Sequence, residues 1–130
     1  MSLCGLPMLL KKSQSITLSF SLVHSVLTPS GGFSGFDLRP EAVRNFVAYS
    51  LTRLNVEVID IYEPGRILPN IPIEDVVGAI ANLIKEGKVK YIGLSEANAE
   101  QLRKANAVHP VTVVEVEYSL ATRVIEKKLL

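Results

Sequence analysis

Residues 56–96, VEVIDIYEPGRILPNIPIEDVVGAIANLIKEGKVKYIGLSE, decide the fold of this chain. An apolar run at residues 56–62 ends in polar residues and a proline-rich loop, and a second apolar run follows at residues 89–94. Between them, apolar residues recur at three-to-four spacing over residues 73–86 and stop at Gly87, which predicts a helix with one buried face. A strand, a helix and a strand in this order predict a crossover between two parallel strands. Function is then expected at the carboxyl ends of the strands.

The flanking sequence continues the alternation of strands and helices. Residues 15–23 alternate small polar with apolar side chains, as a strand does, and the glycine-rich residues 28–37 predict a loop. Asp37 is the predicted N-cap of the next helix, with Pro40 near its first turn. The apolar face expected on that helix comprises Val43, Phe46, Val47, Ser50, Leu51 and Leu54. Further downstream, the pattern predicts a helix at residues 97–107, a strand at residues 111–118 and the start of another helix at residues 119–130.

The four predicted strands determine the expected architecture. Right-handed crossovers would place them in sequential order, and a sheet built in this way curls toward a barrel. We therefore expect an α/β fold that is part of a (β/α)8 TIM barrel, with about four parallel strands and intervening helices. This partial domain would span residues 15–130, whereas residues 1–14 have no clear place in it. Inward-facing residues of an open sheet, predicted as Ile59, Ile61 and Val114, would lack their facing layers.

Composition excludes several classes of protein. Hydrophobic residues make up 48% of the 130 residues and charged residues 21%, which is sufficient for a folded core. The net charge of +1 without a basic face argues against nucleic acid and charged lipid as partners. Cys4 is the only cysteine, so no disulfide forms within the chain. The apolar first ten residues are too few to span a membrane and precede their lysines. We therefore expect no membrane partner and a cytoplasmic location.

Three segments resemble a known family: RLNVEVIDIY, IKEGKVKYIGLSEANAEQLRKA and HPVTVVEVEYSL. Together with the sequence around them, they resemble the middle of an aldo-keto reductase, in the branch that includes pyridoxal reductases. The resemblance implies a (β/α)8 barrel that reduces small aldehydes or ketones with NADPH as the cofactor. A tyrosine hydroxyl would protonate the carbonyl oxygen, tuned by a lysine and an aspartate, while a histidine orients the substrate. Tuning is needed because an ordinary tyrosine, with a pKa near 10, is a poor acid at neutral pH.

The catalytic residues implied by the resemblance have no counterparts in this sequence. The family's aspartate and tyrosine lie upstream of everything that matches. The lysine position falls on Ser21 or Leu22, and the histidine position falls on Gly65. Some members of the branch also lack the histidine, so Gly65 alone does not indicate inactivity. No catalytic residue is therefore assigned, and whether this chain is an enzyme stays open at this point.

The resemblance does imply binding residues. Ser95, Glu96 and Glu115 occupy the positions that hold the nicotinamide carboxamide at the ends of two strands. Glu115 replaces a glutamine, and a carboxylate accepts hydrogen bonds but cannot donate one to the carboxamide oxygen. Arg66 follows the second predicted strand. Two interpretations of Arg66 stay open, a contact with substrate or phosphate and simple exposure to solvent. The resemblance implies that loops after the seventh and eighth strands bind the adenosine phosphate, and those strands have no counterpart in this sequence.

Other polar residues have competing interpretations. The glycines of residues 31–35 lack the spacing of a phosphate-binding loop. Asp60 is interpreted as a hydrogen-bonded structural residue, and Glu115 with Glu117 as polar residues at a strand end rather than a metal site. The two histidines lie far apart, which argues against metal. Tyr62 and Tyr118 could each be proposed as a substitute for the missing catalytic acid. For both residues, packing in the core or at the rim is the favoured interpretation.

Two hypotheses of different classes follow. In the first, the chain is an aldo-keto reductase fragment that is inactive alone. In the second, it is a non-catalytic binding or assembly module that self-associates through the unpaired edge strands of its open sheet. The missing segments could also reflect a shortened gene model.

Overall fold

A computed structural model of the 130-residue chain describes residues 19–22, 25–27 and 33–119. Side chains are described for residues 37–119. The elements in chain order are strands β1 (Ser19–Leu22), β2 (Ser25–Leu27) and β3 (Phe33–Phe36), helix α1 (Pro40–Leu54), strand β4 (Ile59–Pro64), helix α2 (Ile73–Lys85), strand β5 (Val89–Ser95), helix α3 (Ala99–Val108) and strand β6 (Val113–Glu115). The predictions for residues 1–18, and for the helix after Ser119, lie outside the described residues.

Four parallel strands form one sheet in the order β1, β4, β5, β6. The registers pair Ser21 with Glu63, Tyr62 with Ile92 and Ser95 with Glu115. Helix α2 connects β4 to β5 and helix α3 connects β5 to β6, so both connections are strand–helix–strand crossovers. The predicted sequential order of the parallel strands is confirmed.

Helix α2 packs its apolar face onto the sheet. Its buried residues include Val76, Val77, Ile80 and Leu83, which belong to the same core as Tyr62, Ile92 and Leu94 of the strands. Full burial of one such aliphatic side chain stabilises a fold by about 1.5–3 kcal/mol. Acidic residues occupy the first turn and Lys85 the last, which matches the helix dipole. Gly87 follows with a positive φ of 72°, a conformation that suits glycine at a helix end.

The prediction of a loop over residues 28–37 is wrong for part of that range. Residues 33–36 form β3, which pairs antiparallel with β2 as a short hairpin. Glycine-rich sequence favours turns, but cross-strand pairing satisfies this backbone. The predicted N-cap is also wrong, because the helix begins at Pro40 with Arg39 as its N-cap. The Asp37 carboxylate instead accepts a hydrogen bond from the Arg39 backbone N–H at 3.1 Å and pairs with its guanidinium at 2.6 Å.

Two strands differ from their predicted bounds. Strand β4 begins at Ile59 rather than at Val56, because the Val56 N–H still donates to Leu51 at the end of α1. Strand β6 is restricted to Val113–Glu115, and the Val111 N–H before it donates to Asn106 of α3 instead of to a strand. An apolar run that includes the residues just after a helix therefore predicts a strand that is longer than the observed one.

The expectation that inward-facing residues lack a covering layer is wrong for Val114 and Ile59. Val114 is in register with Leu94 and packs against the same core as the helices, so it does not face inward. Ile59 is almost completely buried and does not lack cover. Ile61 of the same face is half-buried, and Tyr91 is 52% exposed. Within the described residues, the structure contains no helix with the length and apolar character required to cross a membrane.

Candidate cofactor and substrate site

The predicted binding residues lie at the carboxyl edge of the sheet, where its parallel strands end. Parallel strands β4, β5 and β6 all end at this edge, with Arg66 two residues beyond β4, Ser95 and Glu96 at the end of β5, and Glu115 at the end of β6. The structure therefore brings all four residues to the edge where parallel sheets usually bind ligands.

Ser95 and Glu115 are direct neighbours across the sheet. Their Cα atoms are paired in the β5–β6 register, and adjacent strands lie about 4.7–4.9 Å apart. Ser95 is half-buried and Glu115 is exposed. One hydroxyl donor and one carboxylate acceptor therefore stand side by side, which is complementary to a carboxamide with its one acceptor and one donor group.

Glu96 has an unusual backbone conformation. Its φ is 54°, in the left-handed region that few residues with a side chain adopt. Its backbone N–H donates to the Glu115 carbonyl oxygen at 2.8 Å, and its Oε1 accepts a hydrogen bond from the Glu117 N–H at 2.6 Å. Glu96 is thus engaged with the exit of β6 through both its backbone and its side chain.

The structure identifies one polar residue that sequence reasoning missed. Glu63 on β4 is fully buried, and its carboxylate lies against Gly93 on β5. Its Cα partner on β1 is Ser21, one of the two positions aligned with the family's lysine. The signal in the sequence was the combination of a glutamate near a strand end with a glycine inside the next strand.

Asp60 has a structural environment, as predicted. The Lys90 ammonium donates to its carboxylate at 2.5 Å, joining β4 to β5. This hydrogen bond, together with the charge of Asp60, raises the pKa of Lys90. Asp60 shares the strand face of Tyr62, which packs in the core, so it lies away from the strand-end residues.

The candidate acid–base residues Tyr62, Tyr118 and His109 all lie among the described residues. Burial raises the pKa of the Tyr62 hydroxyl, the opposite of what a proton donor at neutral pH needs. Tyr118 is 60% exposed. Gly65 is half-buried at the position aligned with the family's histidine. His109 makes a local contact with the Pro110 carbonyl oxygen at 3.1 Å, and His24 lies outside the described residues.

The described part of the chain also contains no cluster of three or more histidine, cysteine, aspartate or glutamate side chains suited to a metal ion. Glu115 is the last residue of β6, and the Glu117 backbone N–H donates to Glu96 Oε1. The arrangement at this edge is therefore one of hydrogen-bond donors and acceptors.

Known proteins give the context for this edge. The model of the aldo/keto reductase family matches residues 25–130. A probable aldo-keto reductase of Glycine max is 50% identical over 90 residues, covering 69% of this chain and 26% of that protein. An aldo-keto reductase of Strobilurus tenacellus is 52% identical over 80 residues, covering 62% of this chain and 24% of that protein. The chain thus spans about a quarter of the length of these curated relatives.

Solved structures show the same likeness. A glycerol dehydrogenase from Gluconobacter oxydans superposes with a TM-score of 0.73 at 30% identity, covering 80% of this chain and 32% of the other. An aldo/keto reductase from Klebsiella pneumoniae in complex with NADP and acetate superposes with a TM-score of 0.60 at 28% identity, covering 68% and 32%. These likenesses confirm the predicted fold class, part of a (β/α)8 barrel. Because the family model matches most of its length, the chain belongs to the aldo/keto reductase family.

Proposed function

We propose that residues 15–130 form the nicotinamide-binding part of an NADPH-dependent reductase of small aldehydes or ketones. The observation that carries this proposal is the direct pairing of Ser95 with Glu115 at the carboxyl edge of the sheet. In a chain of this family, these two residues stand at the positions expected to hold the carboxamide. When NADPH is bound, the chemistry it supplies is hydride transfer to a carbonyl carbon.

The two side chains divide the recognition of the carboxamide. The Ser95 hydroxyl donates to the carboxamide oxygen, and the Glu115 carboxylate accepts from the carboxamide NH2 group. Glu96 supports the site from the end of β5, where its backbone already contacts Glu115. Each hydrogen bond of this kind contributes about 0.5–1.5 kcal/mol, which is enough to orient a ring but not to bind a dinucleotide tightly.

Arg66 is proposed as the substrate-side residue. It is exposed and follows β4 at the same edge as Ser95. Its guanidinium can donate several hydrogen bonds to a carbonyl, carboxylate or phosphate group of a small molecule. Such a contact would orient the substrate without taking part in proton transfer.

As a separate polypeptide, the 130-residue chain is proposed to bind NADPH weakly and not to turn over. Tyr62 is held in the core with a raised pKa, and Gly65 offers no imidazole. Neither Tyr62 nor Gly65 would therefore supply the proton on which the family reaction depends.

Binding and turnover should be tested separately. We expect Ser95→Ala and Glu115→Ala each to weaken NADPH binding roughly 5-fold, since each removes one hydrogen bond of about 1 kcal/mol. Glu57→Ala is the control, because Glu57 is an exposed glutamate that precedes β4 at the opposite edge. Equal affinities for all four proteins in fluorescence titrations, or no binding by the wild type, would reject the cofactor role. NADPH-dependent reduction of an aromatic aldehyde above a heat-killed control would reject the absence of turnover.

A second candidate function is self-association through the outer strands of the sheet. In the described part of the chain, β1 and β6 are the outer strands of the parallel sheet, and Tyr91 is a half-exposed aromatic residue between them. Open strand edges favour pairing with another chain. Light scattering at micromolar concentration tests this candidate, and a monomer with unchanged mass over a tenfold dilution would remove it.

A further inference from the structure

Glu96 adopts a conformation that its residue type does not favour. Among the described residues other than glycine, only Asn55 and Glu96 have positive φ. Asn55 caps the end of α1, where asparagine is well tolerated, but glutamate has no such preference. Interactions with neighbouring groups must therefore hold Glu96 in place.

Those interactions all connect Glu96 to the exit of β6. The Glu96 N–H donates to the Glu115 carbonyl oxygen at 2.8 Å. Its carboxylate Oε1 accepts from the Glu117 N–H at 2.6 Å. The two bonds therefore hold the backbone at Glu115 and at Glu117.

Strand β6 depends on this connection because it is short. Its three residues pair with Gly93, Leu94 and Ser95, and beyond Glu115 the ladder ends. Beyond the ladder, the Glu117 N–H donates to the Glu96 side chain. In a longer strand, this N–H would be bonded to a backbone carbonyl oxygen instead. The position of Glu115 relative to Ser95 is thus fixed from both sides.

We propose that Glu96 is a positioning residue, which holds the exit of β6 so that Glu115 stays beside Ser95 for the carboxamide. This inference rests on the function proposed above. It assigns the Glu96 carboxylate to the backbone of the protein, through Oε1, rather than to direct recognition of the cofactor. Carboxamide recognition then falls to Ser95 and Glu115.

Side-chain length separates this role from a purely conformational one. Glu96→Gln keeps both the reach and an oxygen acceptor, whereas Glu96→Asn is one methylene shorter and Glu96→Ala has no acceptor. Asparagine tolerates positive φ better than glutamate does. If only the backbone conformation mattered, Glu96→Asn would match or exceed the wild type.

The first measurement is amide hydrogen exchange of Glu117 in the full 130-residue chain by ¹⁵N NMR. Exchange should be roughly 10-fold faster in Glu96→Ala and Glu96→Asn, and should stay within about 3-fold of the wild type in Glu96→Gln. Glu57→Ala, the exposed control, should leave Glu117 unchanged. Equal exchange rates in the wild type and Glu96→Ala, or rapid exchange in Glu96→Gln, would overturn the role of the carboxylate oxygen.

The second measurement is the position of Glu115 itself. Cross-strand Overhauser contacts between β5 and β6 should weaken at Ser95 and Glu115 in Glu96→Ala and Glu96→Asn but persist in Glu96→Gln. The dissociation constant for NADP+ should rise roughly 5-fold in the same two variants. Ser95→Ala should weaken NADP+ binding without changing Glu117 exchange. If the wild type does not bind NADP+, the proposed function is contradicted, but the Overhauser contacts still test the positioning role. Overhauser contacts that are unchanged in Glu96→Ala would overturn the positioning role.

Discussion

The Glu63 carboxylate lies against Gly93 of the neighbouring strand. A Cβ atom added to Gly93 would lie 3.1 Å from Glu63 Oε2 and 3.3 Å from both Glu63 Cβ and Ile61 Cγ2. Glu63 has no exposed surface, so its side chain has little freedom to move away. Gly93 therefore provides the space that a buried carboxylate requires between β4 and β5.

Gly93→Ala should destabilise the fold. The added methyl group compresses Glu63 and Ile61, and overpacking of this kind costs about 1–3 kcal/mol. The matched control is Gly78→Ala in helix α2, where nothing beyond the adjacent residues and the local helix backbone lies within 4 Å of the added Cβ. There, alanine should stabilise by about 0.5–1 kcal/mol because it favours the helix. Urea unfolding measures both variants, and a change of the same sign in the two would refute the steric interpretation.

Asn98→Ala should destabilise the N-terminal end of helix α3. Asn98 Oδ1 accepts from the Gln101 N–H at 2.9 Å, and Gln101 Oε1 accepts from the Asn98 N–H at 3.0 Å, forming a capping box. Helix α3 has ten residues, of which Ala105 is buried and Leu102 is partly buried against the core. We expect a loss of about 1 kcal/mol in urea unfolding.

The control for this substitution is Asn82→Ala. Asn82 is an exposed residue inside α2, where alanine has the higher helix propensity. The expected change is a stabilisation of less than about 0.7 kcal/mol. An equal loss in both variants would show that the cap is not responsible.

The sequence was sufficient to predict the parallel core because local periodicity and topology agree there. The buried residues of α2 recur at helical spacing, and right-handed crossovers leave few alternatives for the strand order. The hairpin of β2 and β3 could not be predicted in the same way. Its residues are glycine-rich, and strand pairing overrode their preference for loops.

The strand-end site was only partly predictable. The positions of Ser95 and Glu115 followed from strand order, since parallel strands end at one edge. The two hydrogen bonds of Glu96 did not, because a left-handed φ at a glutamate has no sequence signature. Burial of Glu63 also depends on a glycine thirty residues later in the chain, a pairing that appears only once the register is known.

Glu115→Gln should strengthen cofactor binding. Glu115 accepts hydrogen bonds only, whereas a glutamine at the same place can also donate to the carboxamide oxygen. One added hydrogen bond of about 1 kcal/mol corresponds to roughly 5-fold tighter NADPH binding. Fluorescence titration measures the change. Glu57→Gln makes the same charge change at an exposed site before β4 and should have no effect. Weaker binding of NADPH to Glu115→Gln than to the wild type would indicate that the carboxylate charge, not donor capacity, is what the site requires.

Tyr62→Phe should alter the dependence of stability on alkaline pH. Burial raises the pKa of the Tyr62 hydroxyl in the folded chain, whereas in the unfolded chain it ionises near pH 10. Above that pH the unfolded state releases a proton that the folded state retains, so stability falls as pH rises, by up to about 1.4 kcal/mol per pH unit from this group. Below about pH 9 both states are almost fully protonated and the hydroxyl adds almost no slope.

The measurement is the free energy of unfolding in urea at pH 9, 10 and 11 for the wild type and Tyr62→Phe. Phenylalanine cannot ionise, so the difference between the two proteins should shift in favour of the variant by about 1 kcal/mol from pH 10 to pH 11, and the full slope of about 1.4 kcal/mol per pH unit is approached only above pH 11. Lysines titrate equally in both proteins and cancel. Tyr49→Phe is the control, because Tyr49 is 68% exposed and should leave the slope unchanged. Parallel stability curves for the wild type and Tyr62→Phe would mean that the hydroxyl reaches solvent in the folded chain, and Tyr62 would then have to be reconsidered as an acid.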